Sequence, residues 1–415
     1  MTDYRVLHLL PDLTVGGGQM MVLRLAVHLR KKGCGVMIAA CRPGGTMSQQ
    51  FKQAEIPVID AGMTGIRNFR QALRRLENVA VENDISILHT HGTMVDKIAG
   101  HILSSRLHIP EVTTLHGMLP VFGPRRRSLR SLLRSFLELG SFKLDWWLAR
   151  GKLVSVVAVS DAVLEAWRPV LRQSTSGSKV DERVIHWGVD AREFRQPDPE
   201  QIMRIREEIT GSLSRGGPLI LSVSRLHTSK NVDTLPEAMM TVIDRWPDAI
   251  LGIVGDGPER QTLERKVGDL SLNSKIRFLG ERRDVPSLLA AADITVFPSR
   301  VEGFGMVALE SLAAGTPVVC FDLPSLKALR RDVDAIRIVA GTGPTEMGRT
   351  ISAALSDQNL PAAGQQARDI VLTSWNLDKT ASEYDSLYRA ILSKNGKLPD
   401  KMLSASDSYC SGRNS

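Results

Sequence analysis

Short Val- and Ile-rich runs alternate with stretches of helical period along nearly the whole chain, and no other feature limits the fold as much. RVLHLL (5–10), GVMIAA (35–40), ISILHT (85–90), EVTTLHG (111–117) and VSVVAVS (154–160) read as strands in the first half. PLILSVS (218–224), AILGIVG (249–255), KIRFLG (275–280), DITVFPS (293–299) and TPVVCF (316–321) read the same way in the second. Helical-period segments such as GQMMVLRLAVHLRKKG (18–33) and EGFGMVALESLAAG (302–315) lie between them. Strands alternating with helices imply βαβ units and parallel sheets. Near-continuous apolar runs suit strands covered on both faces. The pattern pauses at WGVDAREFRQPDPE (187–200), where Pro197 and Pro199 suit a connector. A length of 415 residues fits two domains. The expectation is an α/β protein of two Rossmann-like, doubly wound domains facing a central cleft, with ligands beyond the carboxyl ends of the strands.

Composition narrows the partners. Charged residues make up 24%, ordinary for a globular protein, but the net charge of +8 favours an anionic partner. Aromatic residues are only 5%, which argues against a base-stacking nucleic-acid surface. The four cysteines show no CxxC or metal-ligand spacing and read as buried strand residues of a reducing compartment. The N-terminus has too short an apolar run before Pro11 for a secretion signal, and no stretch is long enough to span a bilayer. A cytoplasmic protein is expected.

Three local patterns carry chemistry. VGGGQMMVLRLA (15–26) follows a strand and opens a helix, so its glycines let backbone N–H groups approach an anion. It lacks the third glycine of a dinucleotide fingerprint, since position 21 is Met21, and GDGPER (255–260) and GTGPTE (341–346) fail the same test. A tight βα turn without a ligand explains such glycines equally well. SVSRLHTSKNVDTLPEAM (222–239) leaves a strand with Arg225 and Lys230 in the following loop. Two cations in such a loop can clamp a diphosphate, one as a planar fork and one as a point charge, or can simply be solvated. VEGFGMVALE (301–310) holds two glutamates eight positions apart. In one continuous helix they would be separated by about 12 Å and rotated by roughly 80°, too far apart to share one bond. With the helix starting near Gly305, Glu302 falls in a loop and Glu310 inside the helix. The first N–H groups then point at a ligand phosphate. A capping glutamate beside a solvated one is the plain alternative.

The order and spacing of VGGGQMMVLRLAVHLRKKG, LHTHG, TLHG, SRLHTSKNVD, IVGDGPER and LGERRDVPSLLAAADITVFPSRVEGFGMVALESLAAGTPVV resemble the family 4 glycosyltransferases, retaining enzymes of the GT-B fold. The closing SWNLDKTASEYDSLYRAIL (374–392) resembles that family's final helices. The resemblance implies a hexosyl transfer from a nucleotide-diphosphate sugar to a saccharide or lipid-linked glycan, without a metal or other cofactor. It implies that Glu302 contacts the donor sugar and that the amides of Gly303, Phe304 and Gly305 line that sugar. Those of Met306 and Val307 would meet the diphosphate, and Glu310 would hold the ribose hydroxyls. Arg225 and Lys230 would stabilise the leaving nucleoside diphosphate. His116 would lie near the reacting centre, and Gly16, Gly17 and Gly18 would close over the donor phosphates. The implied domains are an acceptor-side 1–187, onto which a helix at 378–394 packs back, and a donor-binding 188–377. A disordered tail is expected at 395–415. Two departures stand out: HWGVD puts Trp187 where the family often has asparagine, and FDLPSLKALR (321–330) replaces a Gly-Gly–Glu pattern.

Residues 118–152 hold eight basic and two acidic residues, with Leu129, Leu132, Leu133 and Phe136 at helical spacing and Arg127, Arg130 and Arg134 on another face. Such a helix, with Trp146 and Trp147 nearby, suits an anionic membrane surface through 125–150, at the inner face of the plasma membrane, or a core-facing helix with a solvated side. The readings set against a glycosyltransferase are a nucleotide-sugar epimerase of the same fold and a catalytically silent binding protein.

Overall fold

A computed structural model describes residues 4–14, 16–64, 66–91, 94–119, 153–174, 180–211 and 216–396. Most of the basic segment, 120–152, and the tail from 397 lie outside the described residues. The chain divides into two units, Met1–Trp187 with Leu377–Ser415, and Gly188–Asn376.

In the first unit β1 (Arg5–Leu10), β2 (Gly35–Ala40), β3 (Val58–Asp60), β4 (Ile87–Thr90), β5 (Glu111–Leu115), β6 (Leu153–Ala158) and β7 (Asp181–Val184) form one sheet in the order β3-β2-β1-β4-β5-β6-β7. Every pairing is parallel. In the second unit the order is β10-β9-β8-β11-β12-β13, again parallel, for β8 (Leu219–Val223), β9 (Ile250–Val254), β10 (Ile276–Gly280), β11 (Ile294–Phe297), β12 (Val318–Cys320) and β13 (Ile336–Ile338). Both are doubly wound Rossmann-like sheets, and each reverses its strand order once, between β1 and β4 and between β8 and β11.

The period of two in the apolar runs explains why both faces are covered. Leu219, Leu221, Ile250 and Val254 pack with Ile205, Ile209 and Leu288 on one face of the second sheet. Ile220, Leu251, Ile253, Val296 and Val319 pack with Leu235, Met239, Met347 and Ile351 on the other. Each fully buried side chain of this kind contributes about 1.5–3 kcal/mol. In the first unit Leu7, Leu9 and Leu88 join Leu73, Leu76 and Leu103. The final helix, Leu377–Lys394, packs on the helix Gly17–Lys31 and buries Tyr384 and Tyr388. Among the described residues no helix is long and apolar enough to cross a membrane.

That final helix covers a polar interior. The Tyr388 hydroxyl lies 2.5 Å from His89 Nδ1, and the Tyr384 hydroxyl lies 3.0 Å from Thr114 Oγ1. His89 Nε2 lies 2.7 Å from Thr114 Oγ1. His8 is fully buried beside these rings. Burial lowers the His8 pKa to about 3. Burial, and after it the neighbouring histidines, hold His89 and His91 well below the ordinary range.

Gly188, at the start of the second unit, sits against the backbone of Asn376 beside the bridge from Val189 to Asn376. A Cβ on Gly188 would stand 2.1 Å from the Asn376 carbonyl carbon, which leaves no flexible atom to yield.

Two outcomes follow from this packing. Gly188→Ala destabilises the protein by about 1–3 kcal/mol in urea unfolding. Gly268→Ala, on the helix Arg260–Asp269 with open space at the Cβ, gains up to about 1 kcal/mol. The histidines titrate in the opposite sense to a histidine in a salt bridge, whose pKa is raised. Their folded pKa values lie below the unfolded 6.5, so the unfolded chain binds more protons. Stability is complete above about pH 6.5 and falls as pH drops, with a slope of up to about 1.4 kcal/mol per pH unit for each buried ring. Urea midpoints between pH 7 and pH 4.5 fall less steeply in His8→Phe than in the wild type.

Candidate active site

The second unit gathers its charged side chains where β8 and β11 part company, the position at which an open parallel sheet leaves a crevice. After β8 the chain runs from Ser224 to Lys230, held by the GDGPER turn: the Leu226 N–H donates to the Asp256 carbonyl at 2.9 Å, and the Glu259 N–H donates to the Leu226 carbonyl at 3.1 Å. Gly257 is required for this approach, because a Cβ there would lie 2.3 Å from the Leu226 carbonyl oxygen. These glycines serve packing, which explains why they follow no dinucleotide pattern. A short 3-10 turn, Thr228–Lys230, is capped by His227 and closed by Asn231 in the left-handed region. The Asn231 side-chain amide donates to the Pro298 carbonyl at 3.2 Å, tying this loop to the end of β11.

That tie brings Lys230 to Glu302, with Nζ 2.5 Å from Oε1. The side chains are 30% and 12% exposed, so the pair is sheltered more than a surface ion pair but remains open to a ligand. Arg225, in the same loop, is exposed and makes no ion pair among the described residues. The strand-end loop and the helix that follows divide the two glutamates as expected. The helix begins at Met306 and ends at Ala313, with Glu310 half-buried in its second turn. Gly305 precedes it at φ 88°, and a Cβ there would meet Leu326 Cδ2 at 2.9 Å. Leu326 belongs to FDLPSLKALR, so the segment that departs from the family pattern packs against this loop. Phe304 is buried on Trp375, with ring centroids 6.1 Å apart, which leaves its backbone rather than its ring to meet a ligand.

The helix has no side-chain cap and no acidic residue in its first turn. Contrast the helix Pro199–Thr210, whose Asp198 side chain accepts from the Glu200 N–H. The first N–H groups at Met306 and Val307 lack intrahelical partners, and the positive end of the helix dipole is uncompensated by its own residues. Such an end, a lysine, an exposed arginine and two carboxylates can hold an anion flanked by hydroxyls.

The first unit holds the other predicted residues. Gly16 is the N-cap of the helix Gly17–Lys31, again without a side-chain cap. A Cβ on Gly18 would lie 3.9 Å from Nδ1 of His116, so the imidazole borders the glycine loop. Burial, and after it Lys97, lowers the His116 pKa to about 4. Its Nε2 lies 3.0 Å from His91 Nδ1. The ring stacks on Trp187, centroids 5.7 Å apart and 15° from parallel. The tryptophan that departs from the family pattern is therefore the ring that packs on His116. His8, His91 and Trp187 were absent from the predicted set. The available signal was LHTHG, whose two histidines sit two residues apart at a strand end, beside Trp187 already marked as a departure.

The basic helix proposed for residues 125–150 lies outside the described residues.

Two family descriptions match the chain: "Glycosyltransferase Family 4" over residues 15–193 and "Glycosyl transferases group 1" over residues 205–369. N-acetyl-alpha-D-glucosaminyl L-malate synthase of Bacillus anthracis is 25% identical over 330 residues, covering 78% of this chain and 80% of that protein. 2-Deoxystreptamine N-acetyl-D-glucosaminyltransferase of Streptomyces fradiae is 26% identical over 384 residues, covering 83% and 86%. Among solved structures, Anabaena Alr3699/HepE in complex with UDP and glucose matches 93% of this chain and 100% of that chain, with a TM-score of 0.74 and 20% identity. WaaG, a glycosyltransferase involved in lipopolysaccharide biosynthesis, matches 92% and 99% with a TM-score of 0.71 and 18% identity. At those identities the structures speak for the fold, which is GT-B. Sequence motifs, both family matches and the paired parallel sheets agree, and the chain belongs to the family 4 glycosyltransferases.

Proposed function

We propose that this glycosyltransferase moves a hexosyl group from a nucleotide-diphosphate sugar to a saccharide acceptor with retention at the anomeric carbon. The setting is cell-surface polysaccharide or lipid-linked glycan synthesis. The observation that carries the reading is the Lys230–Glu302 pair, held at 2.5 Å where the second sheet reverses its order, beside the uncapped helix that starts at Met306. Similar proteins whose names specify a sugar nucleotide or a lipid acceptor support it. They include the GDP-mannose-dependent monoacylated alpha-(1-6)-phosphatidylinositol monomannoside mannosyltransferase of Corynebacterium glutamicum, 40% identical over 156 residues that cover 35% of this chain and 40% of that protein, and the structure in complex with UDP and glucose.

Each residue then has a part. Met306 and Val307 amides and the helix dipole receive the diphosphate. Lys230 and Arg225 oppose the negative charge that grows on the departing nucleoside diphosphate, a preorganised electrostatic role. With these cations in place the leaving group is stabilised without a metal. Glu302 accepts from sugar hydroxyls, lined by the backbone of Gly303, Phe304 and Gly305, and its contact with Lys230 Nζ fixes the direction of its carboxylate. Glu310 accepts from the ribose hydroxyls. In the first unit, Gly16, Gly17 and Gly18 meet the donor phosphates, and His116 serves the reacting centre. Same-face attack assisted by the leaving phosphate requires no enzyme nucleophile, and Glu302 positions the donor.

The test is nucleoside diphosphate release from UDP-, GDP- and ADP-sugars with a glycan acceptor, with the anomer of the product read by proton NMR. Lys230→Ala lowers kcat by about 10²–10³-fold, as expected when one preorganised charge is removed from the transition state. Glu310→Ala raises KM for the donor more than it lowers kcat, because ribose contacts are made equally in ground and transition states. An inverted product would overturn the retaining assignment. Unchanged kcat in Lys230→Ala would remove the charge clamp.

A further inference from the structure

Three imidazoles stand in file in the first unit. His8 on β1 pairs in register with His89 on β4, which places it at the point where this sheet reverses its order. His8 Nδ1 lies 2.7 Å from His91 Nε2, and His91 Nδ1 lies 3.0 Å from His116 Nε2. The file ends at His116 Nδ1, which borders Gly18 and makes no hydrogen bond among the described residues.

A metal cage is the first idea such a cluster invites, since ligand atoms of His8, His89 and His91 lie within 4.8 Å of one another. The hydrogen bonds count against it. Both nitrogens of His89 are engaged, Nδ1 with the Tyr388 hydroxyl at 2.5 Å and Nε2 with the Thr114 hydroxyl at 2.7 Å. What remains is a chain of hydrogen bonds through His8, His91 and His116.

Burial keeps all three rings neutral at pH 7. A neutral imidazole has one N–H and one bare nitrogen, so each contact needs one ring to donate and the next to accept. A mismatch would press two protons or two lone pairs together. The file therefore has two self-consistent states, with the proton on every Nε2 or on every Nδ1. His8 decides between them, because its Nε2 is buried and has no hydrogen-bond partner among the described residues. With protons on every Nε2, a buried N–H would be orphaned at His8; with protons on every Nδ1, only a bare lone pair is. Orphaned buried N–H groups are the rarer of the two.

We propose that His8 and His91 are positioning residues that fix His116 as its Nδ1–H tautomer, so that the nitrogen bordering the glycine loop donates a hydrogen bond. This rests on the reading in which His116 and that loop serve the donor substrate. A donor there matches an oxygen-rich ligand such as a sugar hydroxyl or a phosphate oxygen. The opposite tautomer would set a lone pair against a phosphate oxygen's lone pairs and could only accept from a hydroxyl. Trp187, stacked on His116, holds the ring plane, while His91 fixes which nitrogen carries the proton.

The test uses the full-length protein labelled with 15N-histidine. Long-range proton–nitrogen spectra at pH 7.5 distinguish the two tautomers of each ring, with assignments from single substitutions. The expected wild-type result is Nδ1–H at His8, His91 and His116. In His8→Phe, which removes the donor at the head of the file, His116 shifts toward Nε2–H, and kcat falls by about tenfold. His8→Gln, whose amide N–H₂ still donates to His91, restores both the tautomer and most of the rate. Nε2–H at His116 in the wild type would overturn the proposal, as would an unmoved tautomer in a folded His8→Phe. If His8→Phe fails to fold, the wild-type spectrum alone decides. Failure of the functional reading shows up separately, as a wild-type protein that binds no nucleotide.

Discussion

A parallel strand buried on both faces can offer chemistry only at its end. Helices cover the two faces of each sheet here, and the apolar side chains of β8 and β9 are consumed in packing on both sides. Polar groups that must meet a ligand are thereby confined to the loops that leave the strands. Among those loops, only the pair on either side of the order reversal diverge, one to each face. The Lys230–Glu302 contact lies at that divergence, where Asn231 pins one loop to the Pro298 carbonyl just past β11. The same constraint operates in the first unit, where the reversal between β1 and β4 brings His8 beside His91.

The two reversal points have opposite electrostatic character. The second unit presents formal charges, a lysine paired with a glutamate and an arginine exposed nearby, together with a helix end that its own residues leave uncompensated. The first presents neutral rings, kept uncharged by burial and shielded by Trp187 and the tyrosines of the final helix. A charged half suits binding and release of a diphosphate. A neutral cluster suits hydrogen bonds of fixed direction.

Much of this was legible in the sequence. All ten apolar runs became strands, and the helix after the glycine pair began within a residue of Gly305, because the runs are long and the glycine must take φ 88°. The strands that escaped, VID at 58–60, DERV at 181–184 and IRI at 336–338, are short, lie at sheet edges and carry charged residues. They pair on one side only, so they need no continuous apolar run to exist. The placement of Arg225, Lys230 and Glu302 in the loops that follow β8 and β11 was also legible. The buried histidines were not. Their meeting depends on the register of β1 against β4 and on a helix that returns from residue 377 to cover them. No local pattern encodes a contact across that separation. Trp187 was visible only as a departure, and its stacking on His116 became evident from coordinates alone.

The central claim is that the second unit binds a nucleoside diphosphate between a helix N-terminus and the Lys230–Glu302 pair. Calorimetric titration of the wild type, Lys230→Ala and Glu310→Ala with UDP, GDP and ADP tests it most directly. The account predicts saturable binding of one nucleotide by the wild type, with stabilisation of about 2.7 kcal/mol at 100 times Kd, and weakened binding in both variants. Absence of binding by any of the three nucleotides, or binding equally tight in both variants, would contradict it.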